Sequence, residues 1–260
     1  MSFTPLKITF LGTGTSSGVP MIACGCEVCQ SNDPKDNRLR SSILVESATT
    51  TFVIDTTPDF RYQMLRINSK KLDAVLFTHP HKDHTAGLDD IRAYNYFQHQ
   101  PMEVYANTTT AISLRREFDY IFADKKYPGI PKIDLTIINE TPFSIGDIEV
   151  IPILVWHLNM PVFGYRMGDF TYITDANRID ELEKEKILGS KVLVLNALRK
   201  EKHISHFSLP EAINLALELK IPEVYFTHIS HQLGKYQDVN PTLPKHMQLA
   251  YDGLSVNMPL

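Results

Sequence analysis

The stretch that decides the fold is Thr78-His79-Pro80-His81-Lys82-Asp83-His84. Four side chains that ligate metals, three imidazoles and a carboxylate, fall within the six residues His79 to His84. They follow directly on the apolar run Ala74–Thr78, which reads as a strand buried on both faces. A tight loop at a strand end can aim several such side chains into one cleft. Imidazole together with carboxylate suits zinc, manganese or iron in the divalent state. A polar surface loop that happens to be rich in histidine is the alternative reading, and the pattern H-x-H-x-D-H rarely arises by chance.

Working outward, the same placement recurs. Asp55 follows the run Thr51–Ile54, His157 follows Ile148–Trp156, Asp175 follows Thr171–Thr174 and His228 follows Glu223–Thr227. Any one of them alone reads as a satisfied polar residue at a strand terminus. Together with the His79–His84 loop they form a coherent ligand set, because α/β architectures gather functional residues at one end of the sheet. Further strands are expected at Leu6–Leu11, Ile43–Glu46, Glu103–Tyr105, Leu135–Ile138, Val162–Met167, Val192–Leu195 and Leu254–Val256. Helices fit between them. Thr57-Pro58 reads as an N-cap followed by proline at the first helical position, opening a helix through Leu65. Ser208-x-x-Glu211 is a capping box ahead of Ala212, Leu215, Ala216 and Leu219 at helical spacing. Gly87–Phe97 and Thr108–Phe122 are also expected to be helical. Strands outnumber helices and several neighbours look like hairpins, so a β-rich α/β sandwich is expected rather than a doubly wound sheet.

The 260 residues carry 26 Lys+Arg against 30 Asp+Glu, a net charge of −4, with 43% hydrophobic and 22% charged residues. These proportions exclude a disordered or fibrous chain. No apolar run approaches the roughly 20 residues that span a bilayer. No repeat or Gly/Ser linker divides the sequence, so one domain, residues 1–260, is expected. The start, MSFTPLKITF, lacks the basic region and long apolar stretch of a signal peptide, which makes the cytoplasm the expected compartment. The acidic balance argues against long nucleic acid as a partner, since Lys125-Lys126 and Arg199–Lys202 are only short basic pieces.

The motif His79-x-His81-x-Asp83-His84, with Asp55, His157, Asp175 and His228 in that order, resembles the metallo-β-lactamase superfamily of hydrolases over nearly the whole chain. The resemblance implies an αββα sandwich, an α/β (α+β) fold, with two divalent metal ions (manganese, zinc or iron) in a cleft at one edge. It implies that His79, His81 and His157 hold one ion and that Asp83, His84 and His228 hold the other. Asp175 would bridge the two, and Asp55 would steady the histidine loop. Asp83 and Asp175 thereby count as catalytic as well as ligating.

All three cysteines, Cys24, Cys26 and Cys29, lie within six residues, and His231 stands three residues beyond His228. Three thiolates and one imidazole complete a tetrahedral structural zinc site; free reduced thiols are the alternative. The cysteine knuckle, the segment Gly12–Pro20 before it, the run Asp55–Arg61, the run Gly87–Arg92 and His206-Phe207-Ser208 narrow the resemblance. They are similar to the phosphoribosyl 1,2-cyclic phosphate phosphodiesterases of the carbon–phosphorus lyase pathway. This implies a small phosphodiester substrate, attack by a hydroxide shared between the two ions, and a homodimer. His206 is then the expected proton donor to the leaving group, with a capping role for the following helix as the alternative. Arg61, Arg92 and Tyr94 are candidates for binding a phosphate or sugar. His203, His99 and His246 read as surface residues. Gly12–Pro20 lacks the Gly-Lys-Ser/Thr ending of a phosphate loop and reads as a structural turn. Competing expectations are a carbonyl ester (lactone or thioester) hydrolase, an RNA 3′-processing nuclease and a metal-binding protein without turnover.

Overall fold

Alternation along the strands builds a four-layered molecule. The computed structural model describes residues 5–124 and 127–259, so Lys125-Lys126 lies outside the described residues. The first sheet takes β1 (Pro5–Gly12), β2 (Ser42–Glu46), β3 (Thr51–Ile54), β4 (Ala74–Leu76), β5 (Met102–Ala106) and β6 (Ile133–Ile137). The second takes β7 (Phe143–Ile145), β8 (Ile148–His157), β9 (Met160–Met167), β10 (Phe170–Ile173), β11 (Arg178–Ile179), β12 (Val192–Asn196), β13 (Glu223–Thr227) and β14 (Met247–Leu249). The chain then returns as β15 (Ser255–Pro259) to the first sheet, whose order is β15-β1-β2-β3-β4-β5-β6. The second sheet runs β11-β8-β9-β10-β12-β13-β14, with β7 paired to β8 off that path. In both sheets an antiparallel half passes into a parallel half, β3-β4-β5-β6 in one and β10-β12-β13-β14 in the other.

The strands read as uninterrupted apolar runs because both of their faces are covered. Leu6, Ile8 and Phe10 of β1 and Phe52 and Ile54 of β3 meet Tyr165, Tyr172 and Val194 of the second sheet in one core between the sheets. The residues that alternate with them point outward. Val53, Val75 and Val104 pack under α1 (Phe60–Arg66), α3 (Arg92–Gln98) and α4 (Thr108–Glu117). Leu193 and Leu195 pack under α6 (Glu181–Ile187) and α7 (Leu209–Glu218). Each fully buried side chain of this size contributes about 1.5–3 kcal/mol. The layers are therefore helix, sheet, sheet, helix, the αββα sandwich expected. Among the described residues no helix is long and apolar enough to cross a membrane.

The capping box of α7 forms as read: the Glu211 carboxylate accepts from the Ser208 backbone N–H at 2.9 Å and from its hydroxyl at 2.6 Å. The helix expected from Thr57 starts instead at Phe60, with Asp59 before it. Thr57 is buried, and its hydroxyl both donates to Gln63 Oε1 (3.0 Å) and accepts from the Asp59 N–H (3.1 Å), so Pro58-Asp59 closes a turn. The segment Thr108–Phe122 breaks at Phe118, which is buried against the outer core, into α4 and α5 (Asp119–Phe122). Gly87–Phe97 is a 3₁₀ turn over Leu88–Ile91 followed by α3. The short strands β7, β11 and β14, two or three residues each, have no signal of their own in the sequence.

Candidate metal centre

The candidate ligands leave the strands at one rim of the sandwich. Asp55 follows β3 directly, Asp175 lies two residues past β10, and His228 follows β13 directly. All three take the left-handed backbone conformation, with φ of 68°, 53° and 56°. Asp and His enter that region more readily than most residues. The sharp reversal turns each side chain back into the cleft instead of letting it continue the strand's alternation. His79 follows β4 after Phe77 and Thr78, Asp83 and His84 lie on the one-turn helix α2 (Lys82–Thr85), and His157 ends β8.

Hydrogen bonding sets which ring nitrogens face inward. The fully buried Asp55 carboxylate accepts from the Thr78 N–H (2.9 Å), the Thr78 hydroxyl (2.8 Å) and His84 Nδ1 (2.7 Å). A carboxylate can only accept, so His84 carries its proton on Nδ1. The Thr78 hydroxyl has spent its one proton on Asp55, so it accepts from His79 Nδ1 at 2.9 Å. Both rings therefore present Nε2 inward, and both of these buried atoms lack a hydrogen-bond partner. His84 Nε2 lies 3.2 Å from Asp83 Oδ2 and 3.4 Å from Asp175 Oδ1, and His79 Nε2 lies 3.7 Å from Asp175 Oδ2. Buried ring nitrogens turned towards carboxylates are the donor set of a cation, and divalent metals fit it.

The ligand atoms of Asp83, His84, Asp175 and His228 lie within 4.8 Å of one another, as do those of His79, His81 and Asp175, and those of His157, Asp175 and His206. Asp175 is common to all three groups. His228 Nδ1 reaches Asp175 Oδ1 at 2.9 Å, and its Nε2 stands 3.2 Å from the Thr15 hydroxyl. His157 donates from Nδ1 to the Ser205 carbonyl (2.7 Å), and its ring centroid lies 5.1 Å from that of His81. The electrostatics follow. Burial acts to raise Asp175, yet His228 and His84 hold it well below the ordinary carboxylate range. Burial likewise opposes the lowering of Asp83, and His84 beside it outweighs burial. Burial acts to lower His84, but Asp175, Asp83 and Asp55 pull it well above its usual value. Burial, and then His84, drives His79 well below its own. Burial takes His157 down to about 4. Three carboxylates converging on one imidazole make a field for a cation, whether proton or metal.

The second cluster is separate. Cys24, Cys26, Cys29 and His231 offer four ligand atoms within 4.8 Å of one another. His231 Nδ1 lies 3.3 Å from Cys24 Sγ and 3.2 Å from Cys26 Sγ, and the backbone N–H of Met21 donates to Cys29 Sγ at 3.3 Å. The thiols form no disulfide. The contact with His231 brings Cys26 down to about 6, and burial pushes Cys29 up to about 11. The donor set and its closure suit a four-coordinate zinc.

A family model described as beta-lactamase superfamily domain matches residues 50–229. A crystal structure described as a new diphosphatase from the PhnP family is 38% identical, with a TM-score of 0.94, and the match covers 100% of this chain and 99% of that one. The chain belongs to the metallo-β-lactamase superfamily, in its PhnP branch. Zinc-bound PqqB from Methylobacterium extorquens shares the superfamily fold at a TM-score of 0.75 and 21% identity, over 96% of this chain and 99% of that one. An octanoyltransferase of Porphyromonas gingivalis is 37% identical over 252 residues, which are 96% of this chain but 51% of that protein. The chain thus spans about half the length of that relative. The superfamily fold implies divalent metal ions, and the histidine–aspartate clusters at the rim provide donors for them.

The structure brings together the residues that sequence reading assigned to the superfamily's cleft, and it adds others. Thr78, Thr15 and Ser205 hold metal-type residues, a role that the sequence reading did not assign to them. His203, read as a surface residue, instead packs on His206 with ring centroids 5.2 Å apart. His206 does not cap α7, since Ser208 and Glu211 do; its Nε2 lies 3.4 Å from Asp175 Oδ2 and its ring stacks on His228 at 4.9 Å. His99 and His246 are exposed, as read. Arg61, Arg92 and Tyr94 do not join the rim. They line a cavity of about 510 Å³ between α1 and α3 that none of the clustered residues lines. Arg92 pairs with Asp89, and the Tyr94 hydroxyl donates to the Ser69 carbonyl at 3.4 Å. Gly12–Pro20 is the structural turn expected: a Cβ on Gly12 would lie 1.9 Å from the Arg40 carbonyl and one on Gly14 2.8 Å from the Arg38 carbonyl. That close approach lets the Ile229 N–H donate to the Thr13 carbonyl (2.9 Å) and the Thr15 N–H donate to Ile229 (3.0 Å), which anchors the residue after His228.

Proposed function

We propose that this superfamily hydrolase is a phosphodiesterase with a dinuclear metal site, acting on a small phosphodiester such as phosphoribosyl cyclic phosphate. The observation that carries the reading is the set of buried, unpartnered Nε2 atoms of His79 and His84 facing the shared carboxylate of Asp175. His79, His81 and His157 would hold one ion, Asp83, His84 and His228 the other, and Asp175 both. Cys24, Cys26, Cys29 and His231 would hold a structural zinc. Phosphorus is favoured over carbon as the centre attacked because the full-length relative at 38% identity is described as a diphosphatase. Bound divalent ions would bring the pKa of a coordinated water from about 15.7 towards 7 and offset charge on the phosphoryl oxygens. The chain's own groups do the rest. Asp55 and Thr78 keep His84 and His79 in the ligating tautomer. His206, with Nε2 turned into the cleft, donates a proton to the leaving oxygen.

The test is elemental analysis of protein purified without added metal, followed by a substrate panel on the same sample. The panel holds phosphoribosyl cyclic phosphate, cyclic nucleotides, bis-nitrophenyl phosphate, a diphosphate, a lactone and a thioester. Turnover of the phosphodiesters with metal present is expected. Turnover confined to the lactone or thioester would overturn the reading in favour of carbonyl ester hydrolysis. That second reading is favoured by the relative named octanoyltransferase, of which this chain matches about half.

A further inference from the structure

Exposed aliphatic side chains stand at two points of the rim beside His157. The hairpin between β8 and β9 turns in two residues, Leu158-Asn159, between the paired residues His157 and Met160. Of the two, only Leu158 has positive φ, at 58°, and it is 48% exposed. A two-residue turn with positive φ at its first position favours glycine there, because a Cβ crowds the backbone in the left-handed region. The turn is pinned in place: the Leu158 N–H donates to Asn177 Oδ1 at 2.7 Å, and the Asn177 N–H donates to the Trp156 carbonyl at 2.9 Å. Neither the turn nor full burial accounts for a leucine at this position. The second residue is Ile204, 73% exposed, in the loop between β12 and α7. Lys200, Glu201 and Lys202 before it are exposed and charged, so Ile204 interrupts an otherwise solvated loop. The Ser205 carbonyl accepts from His157 Nδ1 at 2.7 Å, so Leu158 and Ile204 each adjoin one partner of that bond. The His157 ring in turn lies 4.5 Å from the His206 ring, between centroids.

We propose that Leu158 and Ile204 form an apolar lip on the His206 side of the cleft, which receives an alkyl or aryl group of the substrate alcohol and selects esters that carry one over the same ester without it. The inference deepens the phosphodiesterase reading and rests on it for the reaction. In that reading His206 faces the leaving oxygen, so the alcohol is the part of the substrate that meets these two residues. A lone exposed aliphatic side chain is ordinary on a protein surface. Here two of them flank one hydrogen bond at the rim, and one holds a backbone conformation that glycine would hold without strain. Strained backbone concentrates where a side chain serves a site. The lip is open to solvent, so it sorts substrates by the apolar area it shields from water. A butyl group half covered by it is worth about two fully buried methylenes, or roughly 10-fold.

The test has two arms. In the kinetic arm, the cyclic phosphates of hexane-1,2-diol and ethane-1,2-diol are compared at equal metal content. The native protein should favour the hexanediol ester about 10-fold in kcat/KM. Leu158→Gly with Ile204→Ser should bring that ratio near 1, each single variant should fall between, and Leu158→Met should keep the native ratio. In the binding arm, titration calorimetry on the zinc-loaded protein should show pentylphosphonate bound about 10-fold more tightly than methylphosphonate, with the difference lost in the double variant. Leu158→Gly should melt close to the native protein, because glycine takes the left-handed conformation without strain. A ratio unchanged in the double variant overturns the proposal, as does equal binding of the two phosphonates by the native protein. A marked fall in the melting temperature of Leu158→Gly would make the leucine a packing residue and overturn its part. Variants that change the mass in sedimentation and leave the selectivity intact would assign the two residues to contact with a second copy instead. The binding arm needs no turnover, so it can succeed while the phosphodiesterase reading fails on the panel.

Discussion

Replacing Asp55 with asparagine should weaken metal binding without unfolding the chain. The carboxylate is fully buried and accepts from three donors, Thr78 N–H, Thr78 O–H and His84 Nδ1–H, at 2.9, 2.8 and 2.7 Å. Alanine would orphan all three, at about 1–3 kcal/mol each, a large share of a domain's usual 5–15 kcal/mol. Asparagine keeps the shape and one acceptor. Burial already pushes the Asp55 carboxyl upward, so a neutral group is tolerated there by the fold. The asparagine oxygen can keep the Thr78 N–H, which leaves its NH₂ facing Thr78 Oγ1 and His84 Nδ1. The Thr78 hydroxyl can turn to accept. His84 cannot keep a proton on Nδ1 against a second donor at 2.7 Å, so it moves that proton to Nε2. Nε2 is the atom that faces Asp83 and Asp175, and a protonated nitrogen ligates nothing. A metal must reverse that switch to bind, at the cost of about one charge-assisted hydrogen bond, 1.5–3 kcal/mol, or roughly 10- to 150-fold in affinity. Supporting partners of metal-bound histidines typically show 10- to 100-fold effects on affinity. The assay is chelator competition with zinc and with manganese on metal-free wild type and Asp55→Asn, beside thermal melts of both metal-free proteins. Similar melts with weaker binding are expected. Unchanged affinity, or a stability loss with affinity intact, would refute the tautomer argument.

Asp175→Ala removes the carboxylate common to all three clusters, so elemental analysis should find at least one ion lost per chain, with hydrolysis abolished. Full occupancy at the native rate would contradict the shared role. Cys26→Ser should lower the melting temperature and the total zinc while the ions of the histidine cluster stay mostly in place, which metal analysis per chain can count. Loss of stability with falling pH should be smaller in His157→Gln than in the metal-free native protein between pH 6.5 and about 4. Burial holds the folded His157 at about 4, below its unfolded value of 6.5, so the unfolded chain binds the extra proton in that window and stability is lost as pH falls. Parallel stability–pH curves for the two proteins would count against that assignment.

Much of the cleft was legible because its residues sit at local sequence signals. A buried strand shows as an apolar run, and a ligand-type residue just past it is visible without any knowledge of the fold, as with Asp55, His79 and His228. The capping box at Ser208 and Glu211 is equally local. The expectations that failed depended on neighbours far away in the chain. Thr57 looked like a helix cap, but it is buried and its hydroxyl serves Gln63 and Asp59 inside a turn. Arg61, Arg92 and Tyr94 have the chemistry to hold a phosphate, yet α1 and α3 lie over the outer face of the first sheet and carry them to a cavity of their own.

The sequence by itself determined the superfamily, most of the strands and the chemical types of the groups at the rim, because motif spacing and apolar runs are properties of neighbouring residues. Only the tertiary structure decided how those groups act on one another. Asp175 becomes the common member because β10 lies between β9 and β12 in the sheet, and its left-handed turn points the carboxylate at residues up to 96 positions earlier. The ligating tautomers of His79 and His84 depend on how a single threonine proton is spent. The pairing of His203 with His206 depends on how their loop folds over His157. Hydrogen-bond direction is settled by which donors and acceptors meet in space, and no spacing along the chain encodes it.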